Sequence, residues 1–377
     1  MVKLEDIAAK CEVSKATVSY VLNERGNERR ISVAKQMEIK KAAEEMGYEP
    51  KLIEHKPLKI AIYWPHEDID MVIPPIIAGI NREISRYGYP LDVSIRTYSV
   101  GFLEDKEELF TNKDSVNAAI IIGSSYSDLE YLKKYRAAIP TVLFNRDKTS
   151  EYISITIDHN KASEIAINHA LKKASSEPEK IFLVLSPKSS MFGYDQRSKA
   201  AHDLYQEHAP KDRPYEEGVQ YEYCSYGIDS GYELGCKLIM NGSIEKIDVI
   251  VCIDDMAALG IVSALQENGC IVGKKKDTEK NEGKKAVQII ALSSGPQWLF
   301  KRTFPSLTVV NLKFEELAEH ALRLAIELAK QPTLKPTVRK IHPEIICRAS
   351  CPMSTDDEEK KFEEYIKDRD TFTKGVG

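Results

Sequence analysis

The hydrophobic pattern begins with two short amphipathic helices. Apolar residues recur at helical spacing over 4–11 and again over 14–23, as Leu4, Ile7, Ala8 and Cys11 and then as Val18, Val21 and Leu22. Ser14 is a good N-cap for the second helix, because its hydroxyl can accept a hydrogen bond from a backbone N–H of the first turn. Two short helices joined by about three residues, the second with a polar N-terminal end, are typical of a helix-turn-helix.

A third helix is predicted from about Val33 to Met46, capped by Ser32 and stopped by Gly47. We expect its apolar positions to complete a three-helix core with the first two helices. These positions are Val33, Met37, Ile39, Ala42, Ala43 and Met46.

From Leu58 onward, near-continuous apolar strands alternate with amphipathic helices. Segments of this alternation include 59–64, 118–123, 141–144, 161–173, 249–252, 256–268 and 314–330. The alternation predicts parallel sheets covered by helices on both faces. We expect two such units in succession, at about 60–160 and 160–350, with small molecules bound at the carboxyl ends of the strands.

Composition narrows the class of protein. A length of 377 residues suits two or three domains, and 42% hydrophobic with 29% charged residues is ordinary for a globular protein. No apolar run reaches the length of a membrane span, and the start lacks the basic-then-apolar layout of a signal peptide. We therefore expect a cytoplasmic protein that does not contact a membrane. The seven cysteines include no CxxC pair, so neither a zinc site nor a disulfide framework is indicated.

Charge is unevenly placed along the chain. The net charge of −5 argues against general affinity for nucleic acid. Between residues 15 and 41, however, seven bases face three acids (Glu24, Glu28 and Glu38), a local balance of +4. The bases are Lys15, Arg25, Arg29, Arg30, Lys35, Lys40 and Lys41. A solvated helical face can have this pattern, but beside a helix-turn-helix it favours a patch that neutralises backbone phosphates.

The stretch EDIAAKCEVSKATVSYVLN (residues 5–23) closely resembles the N-terminal headpiece of the lac repressor (LacI/GalR) family. The matching residues are Asp6, Ile7, Ala8, Val13, Ser14, Thr17, Val18, Ser19, Val21 and Asn23. The resemblance continues in PTVLFNR (140–146), DDMAALG (254–260) and IICRASC (345–351), and it covers roughly residues 2–351.

The resemblance implies an α/β fold in which a three-helix helix-turn-helix headpiece precedes a periplasmic-binding-protein-like core of two doubly wound parallel-sheet lobes. The implied domains are a DNA-binding headpiece (1–50), a shortened hinge (51–58), an effector-binding and dimerisation core (59–351) and a charged tail (352–377). Residues 273–285 resemble an insertion and are too polar to bury, so we expect a surface loop there.

The resemblance also implies a set of DNA-binding residues: Ser14, Lys15, Ala16, Thr17, Ser19, Tyr20, Asn23, Ser32 and Lys35. Lys15 and Ala16 occupy positions at which family members read base edges in the major groove, and Tyr20 occupies a third. Hydroxyl and amide side chains nearby are placed to bind phosphate oxygens, which sets register without reading sequence. For Thr17, a place at the edge of the core is the alternative.

Two departures from the family pattern affect DNA recognition. Tyr20 stands where the family usually has an arginine that can grip a guanine with two hydrogen bonds. We therefore expect an operator that differs from the family consensus at that base. The hinge is about five residues shorter than the family pattern and lacks its arginine. Either Leu52 or Ile53 acts as an apolar wedge in the minor groove, or the segment is a plain tether.

In the core, the resemblance implies an effector site formed by Asn145, Arg197, Tyr226, Asp254 and Ser293. An arginine and amide or carboxylate groups on vicinal hydroxyls, with an aromatic ring stacked on the ligand, suit a sugar. Two alternatives with purely structural roles remain: Arg197 pairs with Asp195, and Asp254 caps the next helix. Because Ser293 replaces a usual aspartate, two alternatives also remain open: a phosphorylated or otherwise anionic effector, and an effector that is not a simple sugar.

The motifs of enzymes are missing from the sequence, which has no HExxH, no nucleophile elbow and no GxGxxG or GxxxxGK. We expect no catalytic activity and no cofactor. The predicted function is a homodimeric transcriptional repressor that binds double-stranded operator DNA and responds to a carbohydrate or phosphorylated metabolite. The alternative is an intracellular small-molecule sensor whose operator specificity has weakened.

Overall fold

The computed structural model describes residues 2–22, 29, 31–48, 57–66, 71–147, 149, 151–174, 178–187, 192–208, 217–274 and 283–352. Several predicted features therefore lie outside the described residues: Asn23, hinge residues 51–56, most of the 273–285 stretch and the tail from 353 onward. The chain divides into two compact units, Met1–Pro57 and Leu58–Gly377.

The smaller unit contains helices α1 (Leu4–Lys10), α2 (Lys15–Leu22) and α3 (Val33–Glu45). Both predicted caps are confirmed. The backbone N–H of Thr17 donates to Ser14 Oγ at 3.1 Å, and that of Lys35 donates to Ser32 Oγ at 3.3 Å. The helices enclose a small apolar core formed by Ile7, Ala8, Cys11, Val18, Val21, Ile39, Ala42 and Ala43.

Two residues predicted for this core lie outside it. Val33 is 68% exposed and Met37 is 62% exposed, so their assignment to the core was wrong. The reason is helical geometry. Ala42 and Ala43 follow Ile39 by three and four residues and share its face, whereas Met37 lies about 160° from Ile39 around the helix.

The strands of the larger unit, in chain order, are β1 (Leu58–Pro65), β2 (Leu91–Tyr98), β3 (Ala118–Ile121), β4 (Thr141–Phe144), β5 (Ile153–Ile157), β6 (Ile181–Leu185), β7 (Tyr221–Tyr223), β8 (Val249–Cys252), β9 (Ile271–Val272), β10 (Ala286–Ser293), β11 (Thr308–Asn311), β12 (Val338–Ile341) and β13 (Glu344–Ile346).

Its helices are α4 (Ile73–Tyr87), α5 (Glu107–Thr111), α6 (Tyr126–Lys134), α7 (His159–Lys173), α8 (Phe192–His208), α9 (Ile228–Met240), α10 (Asp255–Glu267), α11 (Gln297–Arg302) and α12 (Phe314–Lys330). Of the helices in the described residues, none has both the length and the apolar character needed to cross a bilayer.

The described strands form two sheets. The first has the order β12–β5–β4–β3–β1–β2, and all its neighbours are parallel. The second has the order β13–β11–β10–β8–β6–β7, with β9 beside β10, and β13 runs antiparallel to β11. Every residue of β3, β4, β5, β6 and β8 is buried, as expected for strands covered on both faces. The predicted fold class is confirmed.

The lobes do not follow one another simply along the chain. After β11 in the second sheet, β12 pairs with β5 of the first sheet, with Val338 opposite Ser154, and β13 then returns to the second sheet. The prediction of successive units at about 60–160 and 160–350 was therefore wrong for the region around β12. A parallel partner so distant in sequence has no local signal, whereas a hairpin partner is marked by its turn.

Helix α12 lies directly against α4. A Cβ atom at Gly79 on α4 would be 2.1 Å from the carbonyl oxygen of Glu315, so the two backbones approach too closely for a side chain there. Beside this contact, the buried carboxylate of Glu83 accepts hydrogen bonds from Arg323 Nε at 3.0 Å and from Arg323 Nη2 at 2.7 Å. The contact therefore holds α12 against α4, the helix that follows β1 of the first sheet.

We expect the substitution Gly79→Ala to lower the free energy of unfolding by about 1–3 kcal/mol, because the added methyl group forces the helices apart. Urea denaturation followed by circular dichroism measures the change. The matched control is Ala78→Ser at the neighbouring exposed position, expected to change stability by no more than about 0.5 kcal/mol. A Gly79→Ala protein as stable as the control would show that the helices do not pack at this distance.

Candidate nucleic-acid interface and ligand cleft

The predicted reading face lies on the first turns of α2. Lys15 and Ala16 are exposed, and Ser19 and Tyr20 are half-buried. Thr17 is also half-buried, and its hydroxyl oxygen is 2.8 Å from Ser14 Oγ. The hydroxyl that was predicted to bind phosphate is thus part of the cap of α2, which gives Thr17 a structural role whether or not it contacts DNA.

The basic residues of the headpiece are partly balanced by acids. Lys15 Nζ is 2.6 Å from Glu5 Oε1, and Lys35 Nζ is 2.9 Å from Glu38 Oε1. The hydrogen bond from Lys15 lowers the pKa of the exposed Glu5 carboxyl. Exposed pairs of this kind contribute little to stability. An acceptor group on DNA can therefore replace Glu5 as the partner of Lys15 at small cost.

Arg29, one of the seven bases counted between residues 15 and 41, contacts the Tyr20 ring. Its guanidinium carbon lies 4.7 Å from the centroid of the Tyr20 ring, a cation–π contact. A guanidinium therefore lies beside the position at which the family usually has an arginine. Spacing along the chain gave no sign of this contact, because Arg29 falls between the predicted helices, where helical periodicity does not apply.

The residues predicted for the effector site lie at the carboxyl ends of strands. Asn145 directly follows β4, Asp254 follows β8, and Ser293 is the last residue of β10. Tyr226 follows β7, and Arg197 lies on α8, which follows β6. Because parallel strands end at one edge of a sheet, these residues come from the edges at which ligands bind in such folds.

A chain of contacts joins residues of the two sheets. His159 Nε2 is 2.9 Å from Asn145 Oδ1, and His159 Nδ1 is 3.3 Å from Arg197 Nη1. The Arg197 guanidinium carbon is 4.5 Å from the centroid of the Tyr194 ring, which packs edge-on against Tyr226 with centroids 5.9 Å apart. Asn145, Arg197 and Tyr226 were predicted together, and the structure brings them together through His159 and Tyr194.

Arg197 is 2% exposed, and its burial lowers the pKa of the guanidinium. Its contacts with His159 and Tyr194 differ from the pair with Asp195 that the sequence also allowed. Among the described residues, no atom accepts a hydrogen bond from Arg197 Nε. Since a buried donor normally has a partner, Arg197 has capacity for an acceptor from a ligand.

Asp254 fills the structural role that was its alternative. Its carboxylate accepts hydrogen bonds from the backbone N–H of Met256 at 3.2 Å and of Ala257 at 3.0 Å, and so caps α10. It also accepts from Gly227 N at 3.3 Å. Burial raises the pKa of Asp254. Backbone donors therefore engage most of the carboxylate. One of these donors, Gly227, directly follows Tyr226 in the chain.

Asp255 supports the end of β10. Its Oδ2 accepts hydrogen bonds from Ser294 N at 3.0 Å and Gly295 N at 3.1 Å. Burial, together with the nearby charge of Asp254, raises the pKa of Asp255 to about 7. Next to this contact, Ser293 is fully buried, and a hydrogen bond from its side chain lowers the pKa of Asp255 against the effect of burial.

His159, Tyr194 and Asp255 were missed by the sequence analysis. For His159 a signal was present, since it comes just after the buried strand β5, as Asn145 does after β4. The same reasoning about strand ends would have selected it. Tyr194 has no such signal, because its place beside Arg197 depends on how α8 packs.

Comparison with known proteins agrees with this architecture. The profile of the bacterial regulatory proteins of the lacI family matches residues 3–51, and that of the periplasmic binding protein-like domain matches residues 179–351. The chain is 26% identical over 363 residues to the HTH-type transcriptional regulator RegA of Clostridium saccharobutylicum, covering 92% of this chain and 98% of RegA.

Two solved structures share the fold. The lac repressor dimer bound to operator and the anti-inducer ONPF has a TM-score of 0.62 and 18% identity, with 93% of this chain and 99% of that chain covered. The transcriptional regulator CelR in complex with cellobiose has a TM-score of 0.60 and 17% identity, with 93% and 100% covered.

A helix-turn-helix unit followed by two largely parallel sheets of the periplasmic-binding-protein type defines a DNA-binding transcriptional regulator. Residues 3–51 match the lacI family of bacterial regulatory proteins, and the relatives that the chain resembles along most of its length are named as regulators. The expectation that it is not an enzyme is confirmed by its relatives, which are named as transcriptional regulators or repressors.

We expect Asp255→Asn to remove a pH dependence of stability. Between about pH 4 and pH 7 the folded chain keeps the Asp255 proton that the unfolded chain has lost, so stability falls as pH rises through this window. As the pH rises through this range, the urea midpoint of the parent should fall relative to that of Asp255→Asn. The matched control for the loss of one carboxylate is Asp92→Asn, at an exposed aspartate. Parallel curves for parent and Asp255→Asn would contradict the prediction.

Proposed function

We propose that the chain is a cytoplasmic transcriptional repressor that binds a roughly palindromic operator as a homodimer and is controlled by a small effector, a sugar or sugar derivative. The observation that carries the proposal is the exposed first turn of α2, bearing Lys15 and Ala16, on a chain whose second unit has an incompletely bonded polar cluster at its strand ends. The proposed domains remain 1–50, 51–58, 59–351 and 352–377.

The headpiece residues proposed for DNA contact divide by role. Lys15, Ala16 and Tyr20 read base edges, with Arg29 beside Tyr20. Ser14, Thr17, Ser19, Asn23, Ser32 and Lys35 are proposed to contact the phosphate backbone. The lac repressor structure, a dimer bound to operator, supports a dimeric assembly whose half-sites mirror its two-fold axis.

For the effector, we propose contact with Asn145, Arg197, Tyr226 and Ser293, and a lesser role for Asp254 because backbone donors engage it. Tyr226 is 46% exposed and offers a ring face for stacking. Arg197 Nε offers unused hydrogen-bonding capacity. The CelR–cellobiose complex supports a carbohydrate.

An anionic form of the effector is favoured by a second buried arginine. Arg146 donates to the carbonyl oxygens of Ser124 and Asn145, and its burial lowers the pKa of the guanidinium to about 10. Two buried cations, Arg146 and Arg197, both act on His159. A phosphorylated sugar would compensate this charge better than a neutral one.

The DNA-binding proposal is tested by selecting bound sequences from a random pool at fixed salt concentration. The expected result is a palindrome that departs from the family consensus at the base facing Tyr20. Lys15→Met should lower the discrimination against the wrong base at one half-site position by about 1–3 kcal/mol.

Lys10→Met is the matched control, since Lys10 is an exposed lysine of the same headpiece, paired with Glu45 at 2.8 Å. It should leave the selected sequence unchanged. Recovery of weak, sequence-independent binding by the parent would instead favour a ligand sensor with lost operator specificity. Equal binding to a family-consensus operator in a gel shift would contradict the proposed role of Tyr20.

The effector proposal is tested by thermal denaturation with cellobiose, maltose, glucose and glucose 6-phosphate. A ligand that binds in the cleft should raise the melting temperature. At a hundredfold excess over its Kd, such a ligand stabilises the folded chain by about 2.7 kcal/mol. Arg197→Met should abolish the shift, whereas Arg136→Met, at an exposed arginine, should keep it. An equal shift in both variants would place the ligand elsewhere.

A further inference from the structure

His159 occupies an unusual place for a histidine. It is 1% exposed and begins α7, directly after β5, where the chain leaves the first sheet. The next strand, β6, belongs to the second sheet. The imidazole is therefore buried at a connection between the lobes.

The two ring nitrogens face partners from different lobes. Nε2 is 2.9 Å from Oδ1 of Asn145, which follows β4 of the first sheet. Nδ1 is 3.3 Å from Nη1 of Arg197. Arg197 lies on α8, which is tied to the second sheet because Ser198 Oγ accepts from Ser186 N, just after β6, at 3.0 Å.

The ring fits closely against α8. A Cβ atom at Gly193, one turn before Arg197, would lie 2.9 Å from Cε1 of His159. The absence of a side chain at Gly193 thus leaves the space that the imidazole occupies. The position of the ring is determined by packing as well as by hydrogen bonds.

The partners determine which nitrogen carries the proton. A guanidinium only donates hydrogen bonds, so Nδ1 must be the acceptor from Arg197. The proton of the neutral ring is then on Nε2, and Nε2–H donates to Asn145 Oδ1. Burial lowers the pKa of His159 well below its ordinary value, and the charged groups that act on the ring, Arg197, Arg146 and Lys340, lower it further.

We propose that His159 is a positioning residue of the effector site: its neutral Nε2–H tautomer orients Arg197 and links it to Asn145, so that a ligand held by Arg197 in one lobe also acts on the other lobe. This inference rests on the proposed function, since it takes Arg197 as an effector contact. A ligand changes the lobe equilibrium only through contacts that differ between the two states, and this link supplies one.

The first test uses the ligand-free protein and nitrogen-15 NMR of the histidine rings. His159 should show an unprotonated Nδ1 and a protonated Nε2, and this state should persist across the neutral pH range. A proton on Nδ1, or a doubly protonated ring at neutral pH, would overturn the proposal.

The second test asks whether His159 carries the link. Asn145→Gly and Arg197→Met are combined in the parent and in a His159→Phe background. Glycine tolerates the left-handed backbone of Asn145, whose φ is 53°. In the parent, the loss in urea midpoint of the double variant should be smaller than the sum of the single losses. In the His159→Phe background the losses should add. Additivity in the parent, or coupling that persists without His159, would overturn the proposal.

The third test adds ligand, with cellobiose and glucose 6-phosphate as probes in calorimetric titrations. His159→Phe keeps the ring shape without its hydrogen bonds and should weaken binding about tenfold. His159→Gln retains one donor and one acceptor and should recover most of the affinity, and His342→Phe should bind as the parent does. Equal affinity in His159→Phe and parent would overturn the proposal. If neither probe binds the parent, the proposed effector class is wrong, and the two ligand-free tests decide the role of His159.

Discussion

The pairing of β12 with β5 is the constraint on which the larger unit depends. Strand β12 is an edge strand of the first sheet, reached only after the chain has formed most of the second sheet. In the described part of the chain this produces three crossings between the sheets, after β5, after β11 and after β12. The first crossing carries His159, and the helix α12 that follows the second packs against α4. The segment that connects the lobes after β5 thus also carries a residue of the polar cluster, His159.

The headpiece is organised by a different requirement. Its core contains few large side chains, so hydrogen bonds at helix ends contribute a larger share of its stability. Ser14 and Thr17 illustrate this, because the cap of α2 uses hydroxyl groups from the very surface proposed to meet DNA. Substitution at these positions would affect folding and recognition together. Lys15 and Ala16 are free of this double role, which makes them better reporters of recognition.

Sequence patterns predicted the local elements well, since caps and helical spacing act over a few residues. Ser32 began α3 as predicted, and 314–330 was predicted with the bounds that α12 has. Features that depend on long-range geometry were missed. The return of β12 and the contact of Tyr194 with Arg197 arise from packing between distant segments. Met37 shows a different error, an apolar residue assigned inward from its type although its angle around α3 points it outward.

For the cluster, the strand-end rule located Asn145 and Asp254 correctly at the sheet edge but did not establish their partners. Asp254 is engaged mostly by backbone donors, which only coordinates reveal. His159 shows the reverse, because its position was available from the sequence while its importance follows from its two neighbours. Residue type and spacing therefore locate a site better than they assign roles within it.

The return of β12 also determines what counts as an indivisible piece of this protein. A fragment ending after β5 would lack both the edge strand β12 and the helix that covers α4, leaving an open sheet edge and an exposed apolar surface. Neither lobe is therefore a contiguous stretch of the chain that a single genetic exchange could replace. The smaller unit, Met1–Pro57, is contiguous and has its own core. Recombination between related genes can exchange headpieces at a single junction, whereas replacing one lobe requires several coordinated junctions.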